Sequence, residues 1–285
     1  MNLSQLATLF ISRAGGEFVA TPEELQQKLG NTDLCIIDTR PAEDYAQGHI
    51  PGATHFDLFG LSLVDTTEAP LKAFMHMIHH VLELRGVSDA KEVVFYEENS
   101  GMRAARGLWF LEYYGHPNVR MLDGGFKAWK EAGYPLATQA AAPKGATLKI
   151  AERREVLATV DDVLRSLNRK ECCILDTRSA EEYFGTRVRA ARGGAIPGAI
   201  HIEWTDNLDA SGKFKSDAEL KAMYDKAGIM PDKEVISYCQ GGYRAAHSYV
   251  ALRLLGFPRV RNYIGSWKEW GDRLDLPIET PEPKK

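Results

Sequence analysis

One property constrains this chain more than any other: it repeats itself. The segment CIIDTRPAEDY at 35–45 returns as CILDTRSAEEY at 173–183, and HIPGATH at 49–55 returns as AIPGAIH at 195–201. A third pair, YYGHPNVRMLDGGFKAW at 113–129 and LLGFPRVRNYIGSWKEW at 254–270, keeps the same order at an offset of about 140 residues. That period is far above the range of solenoid repeats, so each copy is expected to be a domain with its own closed core. The length of 285 residues, about twice a typical domain, agrees. We expect an N-terminal unit over 1–137, a linker over 138–154 and a C-terminal unit over 155–285. The stretch TQAAAPKGATLKIAERRE at 138–155 has small residues, a proline and then charge, with no apolar period, and its first half reads as linker.

Each copy alternates strand and helix signals. Thr21-Pro22-Glu23-Glu24 and Thr159-Val160-Asp161-Asp162 place a capping hydroxyl before acids of a first helical turn. Short runs rich in Ile, Val, Leu and Cys then end at Asp-Thr-Arg, and VVFY at 93–96 and VISY at 235–238 are similar. Such runs suit strands buried on both faces. Each of the later pair leads through a loop into a helix stopped by Gly115 or Gly256, with Pro117 or Pro258 beyond. The expected fold class is α/β, two tandem units each with a mainly parallel sheet flanked by helices.

A net charge of −4 gives neither nucleic acid nor an anionic membrane a long-range reason to attract the chain. The N-terminal segment MNLSQLATLFISRAGGEF lacks the pattern of a secretory leader, and no run of about 18 apolar residues is present. Four cysteines are too few for a disulfide scaffold, and Cys35, Cys172 and Cys173 fall in strand-like runs. Reduced thiols and a cytoplasmic setting are the expectation.

The fourth cysteine is different. Cys239 follows the VISY strand, where open parallel sheets bind ligands, and Ala246, Tyr249, Val250 and Leu254 mark a helical stripe just after it. Gln240-Gly241-Gly242-Tyr243-Arg244 must turn the chain tightly, and such an arc points backbone N–H groups inward as an anion nest. A free thiol near pKa 8.5 is only about 3% ionised at pH 7. A thiol facing amide dipoles and Arg244 is expected to be largely thiolate. The plain alternative is an inert cysteine at a strand end.

Together, Asp-Thr-Arg, Ile-Pro-Gly-Ala, the cysteine loop and Gly-Ser-Trp-Lys-Glu-Trp resemble the rhodanese-like sulfurtransferases in their tandem-domain form, from about Glu17 to Trp270. The resemblance implies a catalytic C-terminal domain in which Cys239 accepts a sulfane sulfur, holds it as a persulfide and yields it to a thiophilic acceptor such as cyanide or a thiol. In the first copy Glu97 of YEENSGMRAAR stands where the cysteine would be, so that domain is expected to be catalytically inactive and to shape and cover the second. Phosphatases of this fold use Cys-x5-Arg, whereas Cys239 to Arg244 is Cys-x4-Arg, an arc too tight to seat a phosphate.

Among donors, enzymes of the mercaptopyruvate type carry a Cys-Gly-Ser/Thr-Gly-Val-like loop, and Gly241 lacks that hydroxyl. Many two-domain relatives also have an arginine four residues after the Asp-x-Arg arginine, where this chain has Glu182. Thiosulfate is therefore the expected donor, 3-mercaptopyruvate or a non-catalytic binding module the alternatives. Anion binding falls to residues 240–244 and to Arg187, Arg189 or Arg192 of an insertion that the first copy lacks.

Trp204 is a candidate wall of the pocket, and Asp176 with Arg178 is expected to brace the loop. Gly265, Ser266, Trp267 and Trp270 read as packing residues. His76 and His80 share a helical face, but no third ligand accompanies them, so a packed or solvated helix face is expected and no metal or organic cofactor is implied. The expected partners are a small sulfur-donor anion and its acceptor.

Overall fold

The structure, a computed structural model, describes residues 18–282. The segment on which the leader reading rests lies outside the described residues, apart from Phe18. Among the described residues no helix is long and apolar enough to cross a membrane.

The N-terminal unit runs β1 (Val19–Ala20), α1 (Pro22–Gln27), β2 (Leu34–Asp38), α2 (Ala42–Gln47), β3 (Thr54–His55), α3 (Glu68–Leu84), β4 (Glu92–Tyr96), α4 (Met102–Tyr113), β5 (Val119–Leu122) and α5 (Gly125–Glu131). After a short 3-10 turn, the C-terminal unit repeats the plan: β6 (Leu157–Ala158), α6 (Val160–Ser166), β7 (Cys172–Asp176), α7 (Ala180–Tyr183), β8 (Ile200–His201), α8 (Asp217–Lys226), β9 (Glu234–Tyr238), α9 (Tyr243–Leu254), β10 (Val260–Tyr263) and α10 (Ser266–Trp270). The sheets are five-stranded, with orders β1-β5-β4-β2-β3 and β6-β10-β9-β7-β8, and every pairing is parallel.

Local chemistry sets these elements. Thr21 and Thr159 each close a capping box, with Glu24 and Asp162 reaching back to the cap amide, as the acidic first turns predict. Strands β4 and β9 sit centrally and are buried from their second residue onward, which requires their run of apolar and aromatic side chains.

The expectation of two separately closed cores fails in one respect. The outer face of each sheet has its own apolar cluster, around Trp129 in one unit and Trp267 with Trp270 in the other. The inner faces merge into one cluster spanning both units. The cause is α4 and α9, which pack on each other: α4 is buried continuously from Ala104 to Tyr113 and α9 from Ala245 to Leu252. Two helices buried over most of their circumference need cover beyond their own sheets, and each supplies part of it for the other. The connecting segment also lies on the first unit rather than free of it. Leu148 is buried, its carbonyl 2.8 Å from His79 Nε2, and the amides of Ala151 and Arg153 donate to Tyr114 and Tyr113.

Candidate active site

Cys239 lies directly beyond the carboxyl end of β9, buried, with the Gly242 amide donating to its Sγ at 3.1 Å. The loop is shaped by what holds its carbonyls away. The Trp267 amide donates to the Cys239 carbonyl and the Lys268 amide to the Gln240 carbonyl, both at 2.9 Å, so the start of α10 draws two carbonyls outward. The Cys239 amide is fixed by Ser266 Oγ at 3.1 Å, and that hydroxyl donates to the Tyr263 carbonyl at 2.7 Å. Inward there remain the amides of Gly241, Gly242 and Ala245. Burial alone would push the Cys239 thiol up, but the Arg244 guanidinium and these three amides outweigh it and hold the thiol below its ordinary value. The strand cysteines show the opposite: burial pushes Cys35 and Cys172 up to about 11 and raises Cys173. Position in the fold, not residue type, separates a thiol whose charged form is favoured from packing thiols.

The two glycines serve different ends. Gly242 has φ +83°, and a Cβ there would run into the Arg106 guanidinium. Gly241 is not left-handed; a Cβ on it would come within 2.9 Å of Ser62 Oγ, so its role is to admit the first unit's loop close to the sulfur. Ser266 is strained at φ +53°, where the first copy has Gly125 at +57°. The serine keeps that conformation while its hydroxyl anchors the Cys239 amide.

A cleft of about 440 Å³ opens over Cys239, lined by Gln240, Gly241, Tyr243, Arg244, Trp204, Arg189 and Lys268 of the second unit and by Phe59, Gly60, Ser62 and Met102 of the first. The first unit's loop is clamped in place. Tyr243 Oη lies 2.5 and 2.8 Å from the Leu58 and Leu61 carbonyls, and the Thr66 amide and hydroxyl donate to the Glu269 carboxylate at 2.7 and 2.9 Å. In return, the second unit grips the Glu97 loop of the first. His247 Nε2 lies 2.7 Å from the Ser100 carbonyl, and the Ser100 amide donates to the Gly212 carbonyl at 2.9 Å.

The arginines are not arranged as the sequence suggests. Arg244 lines the cleft, but its fork closes on Glu182, at 2.5 Å to Oε2 and 3.0 Å to Oε1. Glu182 therefore anchors Arg244 beside the sulfur instead of facing a donor. Burial works against its charge, yet the Arg244 fork holds its carboxyl down to about 2. Of the insertion arginines, Arg187 is not brought to the cleft: it is exposed, on a turn whose amide bonds the Glu181 carbonyl. Arg192 is bound to the carbonyls of Trp270, Gly271, Arg273 and Leu276. Arg189 is the member that reaches the cleft, half-exposed and 3.5 Å from Glu182.

Trp204 lines the cleft and packs edge-on against His247, ring centroids 4.9 Å apart. Asp176 and Arg178 form a buried fork, Nη2 to Oδ2 at 2.6 Å, with Arg178 also donating to the Gly194 carbonyl and Tyr238 Oη donating to Asp176. Asp38 and Arg40 build the same fork on Gly48, so the pair fixes the start of the Ile-Pro-Gly-Ala segment in both copies. The helical histidines gather no ligands; His79 packs on Tyr114, and among the described residues no group of three metal-type ligands occurs.

Sequence reasoning missed Lys268, Ser266's grip on Cys239, and the entire wall from the first unit. Lys268 was within reach, as the one cation in the GSWKEW segment. The wall residues lie far from Cys239 in sequence and had no signal of their own.

In the first copy the same loop geometry holds a carboxylate. The amides of Phe126 and Lys127 draw out the Glu97 and Glu98 carbonyls, as α10 does for the second copy. Glu97 Oε2 takes the Arg103 amide at 2.5 Å and the Ala104 amide at 3.4 Å, and burial pushes its carboxyl up to about 7. Arg103 pairs with Asp57 at 3.4 Å. The anion nest of this unit is filled by its own side chain.

A buried cysteine in an amide nest at the end of a central parallel strand, duplicated as a carboxylate in a companion domain, defines the class, and the rhodanese-like domain model matches twice, at 21–132 and 159–273. The chain belongs to the rhodanese-like family, as a tandem pair. It is 34% identical to a thiosulfate sulfurtransferase of Azotobacter vinelandii over 92% of this chain and 96% of the relative. Identity to a thiosulfate sulfurtransferase of Pseudomonas aeruginosa is 35%, with the same coverage of both chains. Among solved structures, an anaerobic ergothioneine biosynthesis enzyme from Chlorobium limicola superposes with a TM-score of 0.84 at 24% identity, covering 94% of this chain and 71% of that one. That likeness concerns the fold.

Proposed function

We propose that the protein is a sulfurtransferase that takes sulfane sulfur from thiosulfate and passes it to cyanide or a thiol through a persulfide on Cys239. The observation that carries this reading is the Sγ of Cys239 set among inward-facing amides beside Arg244. The thiolate attacks the outer sulfur of thiosulfate. A bond forms between the two sulfurs, the donor's S–S bond breaks, and sulfite leaves with the electron pair. The negative charge of the resulting persulfide rests in the same amides. Attack by cyanide on its outer sulfur releases thiocyanate and returns the thiolate, so neither half-reaction needs a proton or an oxidant.

Arg189 and Lys268 supply positive charge at the cleft, where incoming thiosulfate and departing sulfite are dianions. Arg244, held by Glu182, acts on the sulfur rather than the donor. Phe59, Met102 and Trp204 give an apolar wall that keeps water from the persulfide. The loop lacks a hydroxyl at Gly241, which favours thiosulfate over 3-mercaptopyruvate. The first unit, with Glu97 in its nest, carries no sulfur.

Incubation with thiosulfate should add one sulfur atom to the intact protein, and Cys239→Ser should gain none. Turnover with thiosulfate and cyanide should exceed turnover with 3-mercaptopyruvate. The reverse ranking would overturn the donor assignment, and a chain that gains no sulfur from either donor would be a binding module.

A further inference from the structure

The mechanism leaves one buried cation unused. Arg106, on α4 of the first unit, is fully buried against the back of the cysteine loop, where Nη1 donates to the Gly242 carbonyl at 2.9 Å. Asn262 Nδ2 donates to the same oxygen at 3.1 Å. Nε and Nη2 of Arg106 have no hydrogen-bond partner. The rest of the guanidinium is boxed by aromatic rings, with its carbon 4.7 Å from the Phe110 centroid, 5.1 Å from Tyr243 and 5.4 Å from Trp109. A buried guanidinium is normally matched by a carboxylate, and an unmatched one strongly destabilises a fold. The groups that act on this one electrostatically are Tyr243, Cys239 and Tyr114, and of these only Cys239 has its charged form favoured by its surroundings.

We propose that Arg106 is a positioning residue contributed by the non-catalytic domain: a buried cation behind the loop whose counter-charge is the Cys239 sulfur, as thiolate and then as persulfide. This deepens the sulfurtransferase reading and rests on it. Two effects operate through Gly242. The charge favours a negative sulfur across a dry interior, where screening is weak. The hydrogen bond pins the Gly242 carbonyl away from the sulfur, which keeps the left-handed turn that aims the Gly242 amide at Sγ. Burial lowers the Arg106 guanidinium to about 10, still charged at neutral pH. Two duplicated domains with one silent copy thus divide labour: the silent copy supplies charge as well as cover.

The test separates charge from hydrogen bonding. Arg106→Lys keeps the cation, and Arg106→Gln keeps a neutral donor to Gly242. The rate of Cys239 alkylation by iodoacetamide is followed against pH by intact mass, with Cys239→Ser as blank. Arg106→Gln should shift the midpoint of that profile upward and slow alkylation about tenfold at pH 6.5, while Arg106→Lys should stay within about threefold of wild type. With thiosulfate, kcat should fall in the Gln variant with KM little changed. Equal shifts in both variants, or none, would overturn the proposal. Should neither variant fold, the wild type carries the test: capping Cys239 as its neutral S-methyl disulfide should move the Arg106 Nε–H resonance, and an unmoved resonance would overturn it. The wild-type alkylation profile tests the thiolate itself, so failure of that reading is distinguishable from failure of the Arg106 assignment.

Discussion

Glu182→Gln is the substitution whose consequences the structure lets us work out most fully. Glu182 is buried and receives both nitrogens of the Arg244 fork, with the Ser179 amide capping it from the other side. Glutamine mimics the protonated acid, so the variant reports what ionisation of Glu182 is worth to the fold. The carboxyl falls from 4.5 to about 2 on folding. Such a difference corresponds to about 3 kcal/mol at neutral pH, trimmed to about 2 kcal/mol because water at the cleft mouth screens the pair. For a depressed acid, the unfolded chain takes up its proton first as pH falls. The contribution is complete above pH 4.5 and is lost on the way down to about 2. Wild type and variant should therefore differ by about 2 kcal/mol in urea unfolding at pH 7, and the gap should shrink by about 1 kcal/mol at pH 3.5. The unpaired Arg244 charge should also push the Cys239 alkylation profile to lower pH. A gap independent of pH, or an alkylation profile moved upward, would refute the reasoning.

Three further outcomes are expected. Ser266→Ala keeps the left-handed strain and removes the hydroxyl that fixes the Cys239 amide, so thermal stability and kcat should both fall; Ser266→Gly should restore stability but not kcat, and equal recovery of both would contradict the anchoring role. His247, boxed by Phe214 and Trp204, is lowered by burial to about 4, whereas an unfolded histidine protonates near 6.5. Its stabilisation is complete above pH 6.5 and declines as pH falls toward 4, by up to about 3 kcal/mol, so His247→Gln should flatten the melting profile over that window. Glu97→Gln should leave turnover with thiosulfate and cyanide within about twofold of wild type, and a larger loss would place chemistry in the first unit.

Much of this was legible in the sequence because it is written in local spacing. The Thr-capped helix starts and the turn that follows Cys239 each depend on residues within a dozen positions of one another, and the internal repeat shows when the chain is laid against itself. What was not legible depends on pairs brought together by the fold. Glu182 reads as a missing arginine until Arg244, 62 residues later, is seen closing on it. Arg106 sits in an apolar helix and meets Gly242 at a separation of 136 residues. The insertion arginines share one charge but face three ways, because the backbone of that irregular segment follows no period that a pattern could reveal. The merged core escaped for a related reason: the continuous burial of α4 and α9 signals that each is covered, not by what.

The account stands on Cys239 being a thiolate because its loop amides and Arg244 outweigh its burial. The direct measurement is the pH dependence of its alkylation in the native protein, with the masses of Cys35, Cys172 and Cys173 peptides followed in the same samples. We predict a midpoint for Cys239 below the value of about 8.5 for free cysteine, with the other three reacting only at higher pH. A Cys239 midpoint at or above that of free cysteine would contradict the account.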